Sequence, residues 1–190
     1  MKALVISALS LLTGLGAGLS VQDKVQDKKQ DKAPAAGDHA MEMPKPGKEH
    51  ASLAKMAGTW DAVVKFPGGE AKGTAIWKMM DGGFWLVDEF KADMMGMPFV
   101  GHGMTGFDTS RGKFVAFWCD SMSPCPNIMW GTHDEKTGTT SFSGENANHE
   151  GKLVKQFSTQ KASDADHLEF KLWEEGKEAE AMVINYTRRK

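Results

Sequence analysis

The sequence predicts an all-β protein in which antiparallel strands follow one another as a meander and close into an up-and-down β-barrel of about eight to ten strands, with a short N-terminal helix. Runs rich in β-branched and aromatic residues recur about every eight to twelve residues. Glycine-containing turn sequences separate these runs, and no helical pattern lies between them. A meander of this length would expose two edges unless it closed. A two-sheet sandwich is the alternative that this pattern leaves open.

The first twenty residues have the features of a secretory signal peptide. Lys2 provides a short positive region, an apolar run follows, and the segment ends in small residues that include Gly18 and Ser20. The apolar run is short for a membrane span of about 20 residues. We therefore expect residues 1–20 to be cleaved near Ser20, the protein to be exported to the periplasm or secreted, and no stable membrane insertion to remain after cleavage.

Residues 21–48 differ in composition from the rest of the chain. They contain a near-repeat of Gln, Asp and Lys, few bulky apolar residues and three prolines. Such a segment buries too little apolar surface to offset the entropy of ordering the chain, so we predict a disordered linker. The folded domain is then expected over residues 49–190, and it begins with a short helix at 49–56.

Ten strands are predicted in this domain. They cover residues 59–66, 71–80, 84–91, 98–107, 113–120, 127–134, 139–144, 152–160, 167–174 and 179–187. The alternation is clearest in the ninth strand, where Leu168, Phe170 and Leu172 share one face and Glu169 and Lys171 the other. This period of two is typical of a strand with one buried and one solvated face.

Composition excludes several classes of protein. The chain has 23 basic and 25 acidic residues and a formal net charge of −2, and no dense basic stretch suited to a nucleic-acid backbone. Two cysteines are too few for a disulfide-dense scaffold or a four-cysteine metal site. The letters of a dinucleotide-binding motif at residues 101–106 precede a turn and a strand instead of a helix, so we reject that interpretation.

Several segments resemble known proteins. Gly58-Thr59-Trp60 resembles the entry of a lipocalin-type barrel, in which a tryptophan near the start fills one end. Five further segments resemble, in order, domain-of-unknown-function family 1579: Gly82-Gly83-Phe84-Trp85-Leu86, Met94-Met95-Gly96-Met97-Pro98-Phe99, Gly106-Phe107-Asp108, Trp118 with Asp120-Ser121-Met122-Ser123, and Tyr186-Thr187-Arg188-Arg189. The resemblance covers roughly residues 53–189. It implies a lipocalin-like barrel and no particular reaction, since the family has no assigned activity.

Polar and aromatic residues on the predicted strands are the candidates for a ligand cavity. Polar groups inside apolar segments are costly to bury unpaired, so they orient a ligand if they point inward together and are ordinary surface residues if they point outward. The aromatic residues either line a cavity or fill the core. The candidate cavity residues are Asp88, Phe99, His102, Trp118, Asp120, Trp130 and His133. Trp118 and Asp120 share one face of their strand, but the inward side of residues 114–118 stays undecided because both faces are apolar.

The two cysteines flank the connection between the fifth and sixth strands. In an exported protein, Cys119 and Cys125 can close a disulfide across this turn, and we favour that bond over two free thiols. Their spacing and their position away from a helix N-terminus are unsuited to redox catalysis.

The sequence predicts no metal site, no cofactor and no catalytic residues. Methionine and histidine clusters at residues 39–43 and 94–97 suit Cu(I), and His102 or His133 could ligate haem, but no local motif supports either possibility. We expect a binding module for a small, largely apolar ligand. The alternatives are a filled barrel with a structural or interaction role, and an enzyme for a small hydrophobic substrate with Asp120 and His102 as acid–base groups.

Overall fold

The computed structural model describes residues 43–190. The predicted signal peptide and the predicted linker up to residue 42 lie outside this part of the chain. The first element is a seven-residue helix, α1 (Lys48–Ala54). Within the described residues, no helix is long and apolar enough to cross a membrane.

Ten strands follow the helix, and together they form one closed antiparallel barrel. Their bounds are β1 Gly58–Phe66, β2 Gly69–Met79, β3 Trp85–Met94, β4 Met97–Asp108, β5 Lys113–Asp120, β6 Ser123–Asp134, β7 Thr139–Ala147, β8 Leu153–Ala162, β9 His167–Glu174 and β10 Met182–Arg188. Each strand pairs with the next one along the chain, and β10 pairs with β1 from Trp60↔Arg188 to Lys65↔Val183. The predicted fold class is confirmed, and the sandwich alternative is excluded.

The predicted starts of two strands differ from the observed starts by three residues or more. β6 begins at Ser123 because the segment containing Pro124 and Pro126 is already extended and pairs with β5 through an irregular register. β10 begins only at Met182, since Glu178–Glu180 form a single 3₁₀ turn. In both segments, turn-forming residues determine the backbone conformation, and hydrophobic alternation does not.

Alternation along each strand positions the core inside the barrel. On β1, Trp60, Ala62 and Val64 are buried, while Asp61 and Lys65 between and beyond them are exposed. Because side chains alternate across a strand, one parity of every strand points inward. The inward-facing residues of each strand can therefore be identified from this alternation.

Helix α1 covers one end of the barrel, which we call the helix end. His50 is buried there, and its ring packs edge-on against Phe84 and Phe107, with centroids 5.3 and 6.1 Å away. Nδ1 of His50 also accepts a hydrogen bond of 2.9 Å from the backbone N–H of Gly47, at the start of the helix. The helix is thus held by a buried side chain as well as by its backbone. The opposite end, formed by the β1–β2, β3–β4, β5–β6, β7–β8 and β9–β10 connections, is called the far end.

Arg188, the last residue of β10, joins the helix to the closure of the barrel. Its guanidinium donates to the carbonyl oxygens of Lys55 and Ala57 at 2.8 and 2.7 Å, and Nε donates to the carbonyl of Ala165 at 3.0 Å. The same group lies 4.1 Å from the ring centroid of Trp60. A Cβ at Gly58, whose φ is +143°, would lie 2.6 Å from Nη1 of Arg188. One side chain therefore ties β10, β1, the end of α1 and the β8–β9 connection together.

Replacing Arg188 by methionine is expected to destabilise the fold by about 2–4 kcal/mol, because three charge-assisted hydrogen bonds and the contact with Trp60 are lost together. The free energy of unfolding in denaturant measures the effect. Arg189→Met is the matched control, since Arg189 makes an exposed ion pair with Asp61 and should change stability little. Equal effects of the two substitutions would contradict the role assigned to Arg188.

Candidate ligand-binding site

Two regions of the interior are candidates for a ligand site. The first is a cavity of about 580 Å³ at the helix end, between α1 and the ends of the strands. Its apolar walls include Leu53, Met56, Trp60, Phe114, Phe142 and Leu168. Polar side chains at its edge include Thr105, His133, Thr140, Gln160 and Arg188. The cavity is an apolar space beneath the helix with a polar rim, formed mostly by residues of β6, β7 and β8.

His133 is the sequence-predicted residue that lies at this cavity. It is exposed near the end of β6, and its Nδ1 is 3.0 Å from Oγ1 of Thr140 on the neighbouring strand β7. The ring therefore already has one polar partner within the rim. Its exposure makes it a residue of the cavity entrance.

The second region is a row of inward residues that crosses five neighbouring strands. Register pairs Trp77 with Asp88, Asp88 with Gly103, Gly103 with Trp118, and Trp118 with Asn127. We call these five residues the interior row. It combines one carboxyl group, two indoles, an amide and a glycine that lets the indole of Trp118 approach Asp88.

Asp88 is the polar centre of the interior row. Its Oδ1 and Nε1 of Trp77 are both buried, and neither has a hydrogen-bond partner of good geometry among the described residues. Burial raises the pKa of the Asp88 carboxyl from 3.8 to about 7, and the nearby N–H of Trp77 lowers it by a smaller amount. Burial, followed by the charge of Asp88, also raises the pKa of Tyr186. The barrel thus contains a carboxyl group that changes its charge near neutral pH.

The indole of Trp118, which belongs to β5, packs over Gly101 and Gly103 of β4 and borders Asp88. A Cβ at Gly101 would lie 2.2 Å from Cζ2 of Trp118, and a Cβ at Gly103 would lie 3.1 Å from Cε3 of Trp118 and 3.2 Å from Cβ of Asp88. The two glycines therefore provide the space that the indole occupies. Glycine within a strand is typical of such a close approach.

Phe99 and Asp120 hold the indole of Trp118 in place. Nε1 of Trp118 donates to Oδ2 of Asp120 at 3.0 Å, while Oδ1 of Asp120 accepts from the backbone N–H of Met122 at 2.8 Å. The rings of Phe99 and Trp118 are stacked at 6.5 Å with an interplanar angle of 17°. The structure therefore brings four of the predicted residues, Asp88, Phe99, Trp118 and Asp120, to one part of the interior.

His102 and Trp130 lie apart from this group, on the outer face of the sheet. His102 is exposed and lies opposite Glu89 and Cys119, while Trp130 stacks under the guanidinium of Arg111 at 4.9 Å. His102 and Asp120 thus point to opposite faces of the sheet. They cannot act as one acid–base pair.

The expected disulfide between Cys119 and Cys125 is not formed, and both residues are free thiols in the structure. The register of β5 and β6 shifts between Trp118↔Asn127 and Asp120↔Ser123. Cys119 therefore has no regular partner on β6, and the irregular segment of β6 that contains Cys125 does not bring the two sulfurs to bonding distance. The sequence spacing could not reveal this irregularity.

Amide side chains of β6, β7 and β8 are functional candidates that the sequence analysis missed. Nδ2 of Asn127 donates to Oε1 of Gln156 at 2.6 Å, and Oδ1 of Asn146 accepts from the backbone N–H of Ile128 at 2.8 Å. Nδ2 of Asn146 is buried and has no hydrogen-bond partner among the described residues. The sequence signal that could have identified them is their place among the inward-facing positions of their strands, because amides on a buried face require hydrogen-bond partners.

Comparison with known proteins places this barrel in a family. A model described as a protein family of unknown function, DUF1579, matches residues 45–188, which is most of the chain. The chain belongs to this family. The predicted resemblance is therefore confirmed. The matched residues of this chain include α1 and all ten strands of the closed barrel. No curated protein matches the chain.

Two solved structures that are similar to this DUF1579 chain are designed β-barrels. A de novo designed fluorescence-activating β-barrel is 14% identical with a TM-score of 0.41, and the match covers 70% of this chain and 93% of that one. A redesigned β-barrel is 12% identical with a TM-score of 0.40, and the match covers 74% of this chain and 95% of that one.

Asp88 is expected to make stability depend on pH. An acid whose pKa is raised in the folded state binds more protons there than in the unfolded chain, so the contribution of Asp88 to stability is highest at or below about pH 4 and falls until pH passes about 7. Asp88→Asn removes this dependence. Relative to wild type, the variant should gain about 2–3 kcal/mol in its free energy of unfolding between pH 5 and pH 8.

Glu89→Gln is the matched control for this measurement, since Glu89 is the next residue on β3 and faces outward, toward Lys91. Urea denaturation at the two pH values gives the comparison. Parallel pH profiles of wild type and Asp88→Asn would show that Asp88 does not titrate in this range.

Proposed function

We propose that the protein is an exported binding protein that takes up a small, largely apolar and uncharged ligand in the helix-end cavity. The observation that carries this proposal is the apolar space of about 580 Å³ beneath α1. Small-molecule sites are typically concave spaces of about 300–1,000 Å³ with mostly apolar walls and a few polar groups. The export part rests on the signal-like pattern of residues 1–20.

The walls of the cavity are fixed before a ligand arrives. His50 holds the helix through its contacts with Phe84 and Phe107. Arg188 holds the segment that follows the helix, because its guanidinium donates hydrogen bonds to two carbonyl oxygens of that segment. Nε1 of Trp60 adds a hydrogen bond of 3.0 Å to the carbonyl of Met56. A preformed apolar site loses less entropy on binding than one that must be ordered by its ligand.

The middle of the barrel is filled, which restricts an apolar ligand to the end. Val64 and Ala75 are 1% and 0% exposed, and Phe90 is 2% exposed. The polar rim, with His133, Thr140 and Gln160, lies on one side of the entrance. An apolar ligand with one hydrogen-bonding group at its outer end fits this arrangement.

Blocking the cavity should abolish binding of a neutral apolar probe. N-phenyl-1-naphthylamine, which becomes fluorescent in apolar surroundings, should bind the wild-type protein and lose at least about tenfold in affinity in Ala162→Trp, because Ala162 lines the cavity and an indole there fills it. Fluorescence titration measures the dissociation constants.

Lys161→Trp is the control, since Lys161 is the preceding residue of β8 and is exposed on the other face. It adds the same indole outside the cavity and should leave the titration unchanged. Failure of the probe to bind wild-type protein, or equal binding by Ala162→Trp, would contradict the proposal and favour an interaction role for the outer surface.

A further inference from the structure

We propose that the ligand of the helix-end cavity is a compact neutral alcohol whose hydroxyl group binds between Thr140 and Gln160. This inference rests on the proposed function and names the class of ligand that the site selects. It stands on three features of the cavity: polar side chains that follow one another across one wall, an amide among them that has no hydrogen-bond partner, and an entrance that offers no dedicated cation to an acid.

The first feature is a row of polar side chains, which we call the polar row. His133 on β6 pairs with Thr140 on β7, and Thr140 pairs with Gln160 on β8. All three residues line the helix-end cavity. The Cβ atoms of directly opposed residues in an antiparallel pair lie about 4.5–5.5 Å apart, so Thr140 and Gln160 can contact the same ligand atom.

The next inward layer bounds the cavity below the polar row. It lies two residues further along each strand, where Phe142 pairs with Gly131 on one side and with Ser158 on the other. Phe142 lines the cavity, and both Phe142 and Ser158 are buried. A ligand body in the cavity therefore lies between this layer and α1, beside the polar row, and a compact shape fits this space.

The second feature is the side-chain amide of Gln160. Within the described part of the chain, this amide makes no hydrogen bond, and none of its atoms is completely buried, so a molecule in the cavity can reach it. An amide has two N–H donors and a carbonyl acceptor. An entirely apolar ligand would remove water from these groups and leave them unpaired, which costs affinity. The cavity thus favours a ligand that carries a polar group of its own.

Thr140 determines which polar group fits best. Its Oγ1 lies 3.0 Å from Nδ1 of His133, and this contact uses one hydrogen bond of the hydroxyl group. A threonine hydroxyl has one donor and two acceptor positions, so Oγ1 can accept another hydrogen bond whichever of the two atoms donates. A ligand hydroxyl can therefore donate to Oγ1 of Thr140 and accept from the N–H of Gln160. An ether or ketone oxygen can only accept.

The third feature is the charge at the entrance. The guanidinium of Arg188 donates to three backbone carbonyl oxygens and lies 3.5 Å from a carboxylate oxygen of Asp166. Lys55 and Asp164 are exposed at the edge of the cavity and carry opposite charges. A carboxylate at the polar row would lose hydration without a dedicated cation beside it, which is costly. The neutral alcohol is therefore favoured over the corresponding acid.

The test compares three ligands that share one ring system: 2-naphthalenemethanol, 2-methylnaphthalene and 2-naphthoate. Each displaces N-phenyl-1-naphthylamine from the full chain in a fluorescence titration. Gln160→Met replaces the amide by an apolar chain of similar length, and it should lower the ratio of the alcohol's affinity to the methyl compound's affinity about three- to tenfold, the effect of one neutral hydrogen bond. Thr140→Val should lower this ratio by a similar factor. The acid should bind the wild-type protein more weakly than the alcohol.

Thr159→Val is the matched control, since Thr159 precedes Gln160 on β8 and faces away from the cavity. It removes one hydroxyl group, as Thr140→Val does, and should leave the ratio unchanged. The ratio compares two ligands on the same protein, so a general loss of stability in a variant does not alter it. Thermal unfolding of each variant verifies that the protein is folded.

The two proposals fail separately. Absence of N-phenyl-1-naphthylamine binding to the wild-type protein would overturn the cavity function, and the hydroxyl site with it. Probe binding that is lost in Ala162→Trp would support the cavity. If, in that case, the ratio were unchanged in Gln160→Met or in Thr140→Val, or if the acid bound as tightly as the alcohol, the hydroxyl site alone would be overturned.

Discussion

The guanidinium of Arg188 is the contact on which the helix end of the molecule depends. An up-and-down barrel closes only when its last strand meets its first, and here that seam ends at the pair Trp60↔Arg188. Arg188 covers the indole of Trp60 and binds the carbonyls of the segment that follows α1. Removal of this side chain would leave those carbonyls and the edge of the indole without their partner. The roof of the helix-end cavity is thus a consequence of how the barrel closes.

Closure also determines what the interior can hold. Ten strands enclose more width than their small inward residues fill, and the surplus is taken by large rings that need glycine opposite them. Trp118 over Gly101 and Gly103 is the clearest case. The amides of Asn127, Asn146 and Gln156 lie on the strands that follow, β6, β7 and β8. The barrel therefore has an aromatic side and a polar side instead of a uniform apolar core.

The fold could be predicted from the sequence because strand alternation and glycine turns are local signals. The candidate site could be predicted only in part. Asp88 was recognisable as a carboxyl group that follows a run of apolar residues on its strand, whereas Trp77 and Tyr186 have the same pattern as any core residue. The side chain of His102 points outward, whereas that of Asp88 points inward. This difference is not a local property, because pairing with the neighbouring strands decides which alternate residues of a strand face the interior. The free thiols follow from a register shift that composition does not encode.

The burial of Asp88 lowers the stability of this barrel at neutral pH, and that is why it is informative. A leucine or an asparagine there would avoid burying an ionisable group beside indoles, and the neighbouring strands offer no cation to compensate it. Other inward positions, including Val64, Ala75 and Phe90, show that the chain can pack the interior with apolar side chains. Perturbed ionisable groups concentrate at functional sites because a group that binds or reacts must be kept away from full solvation. Because burial disfavours the charged form of Asp88, the same loss of solvation that raises the pKa of this carboxyl makes the stability of the barrel depend on pH near neutrality.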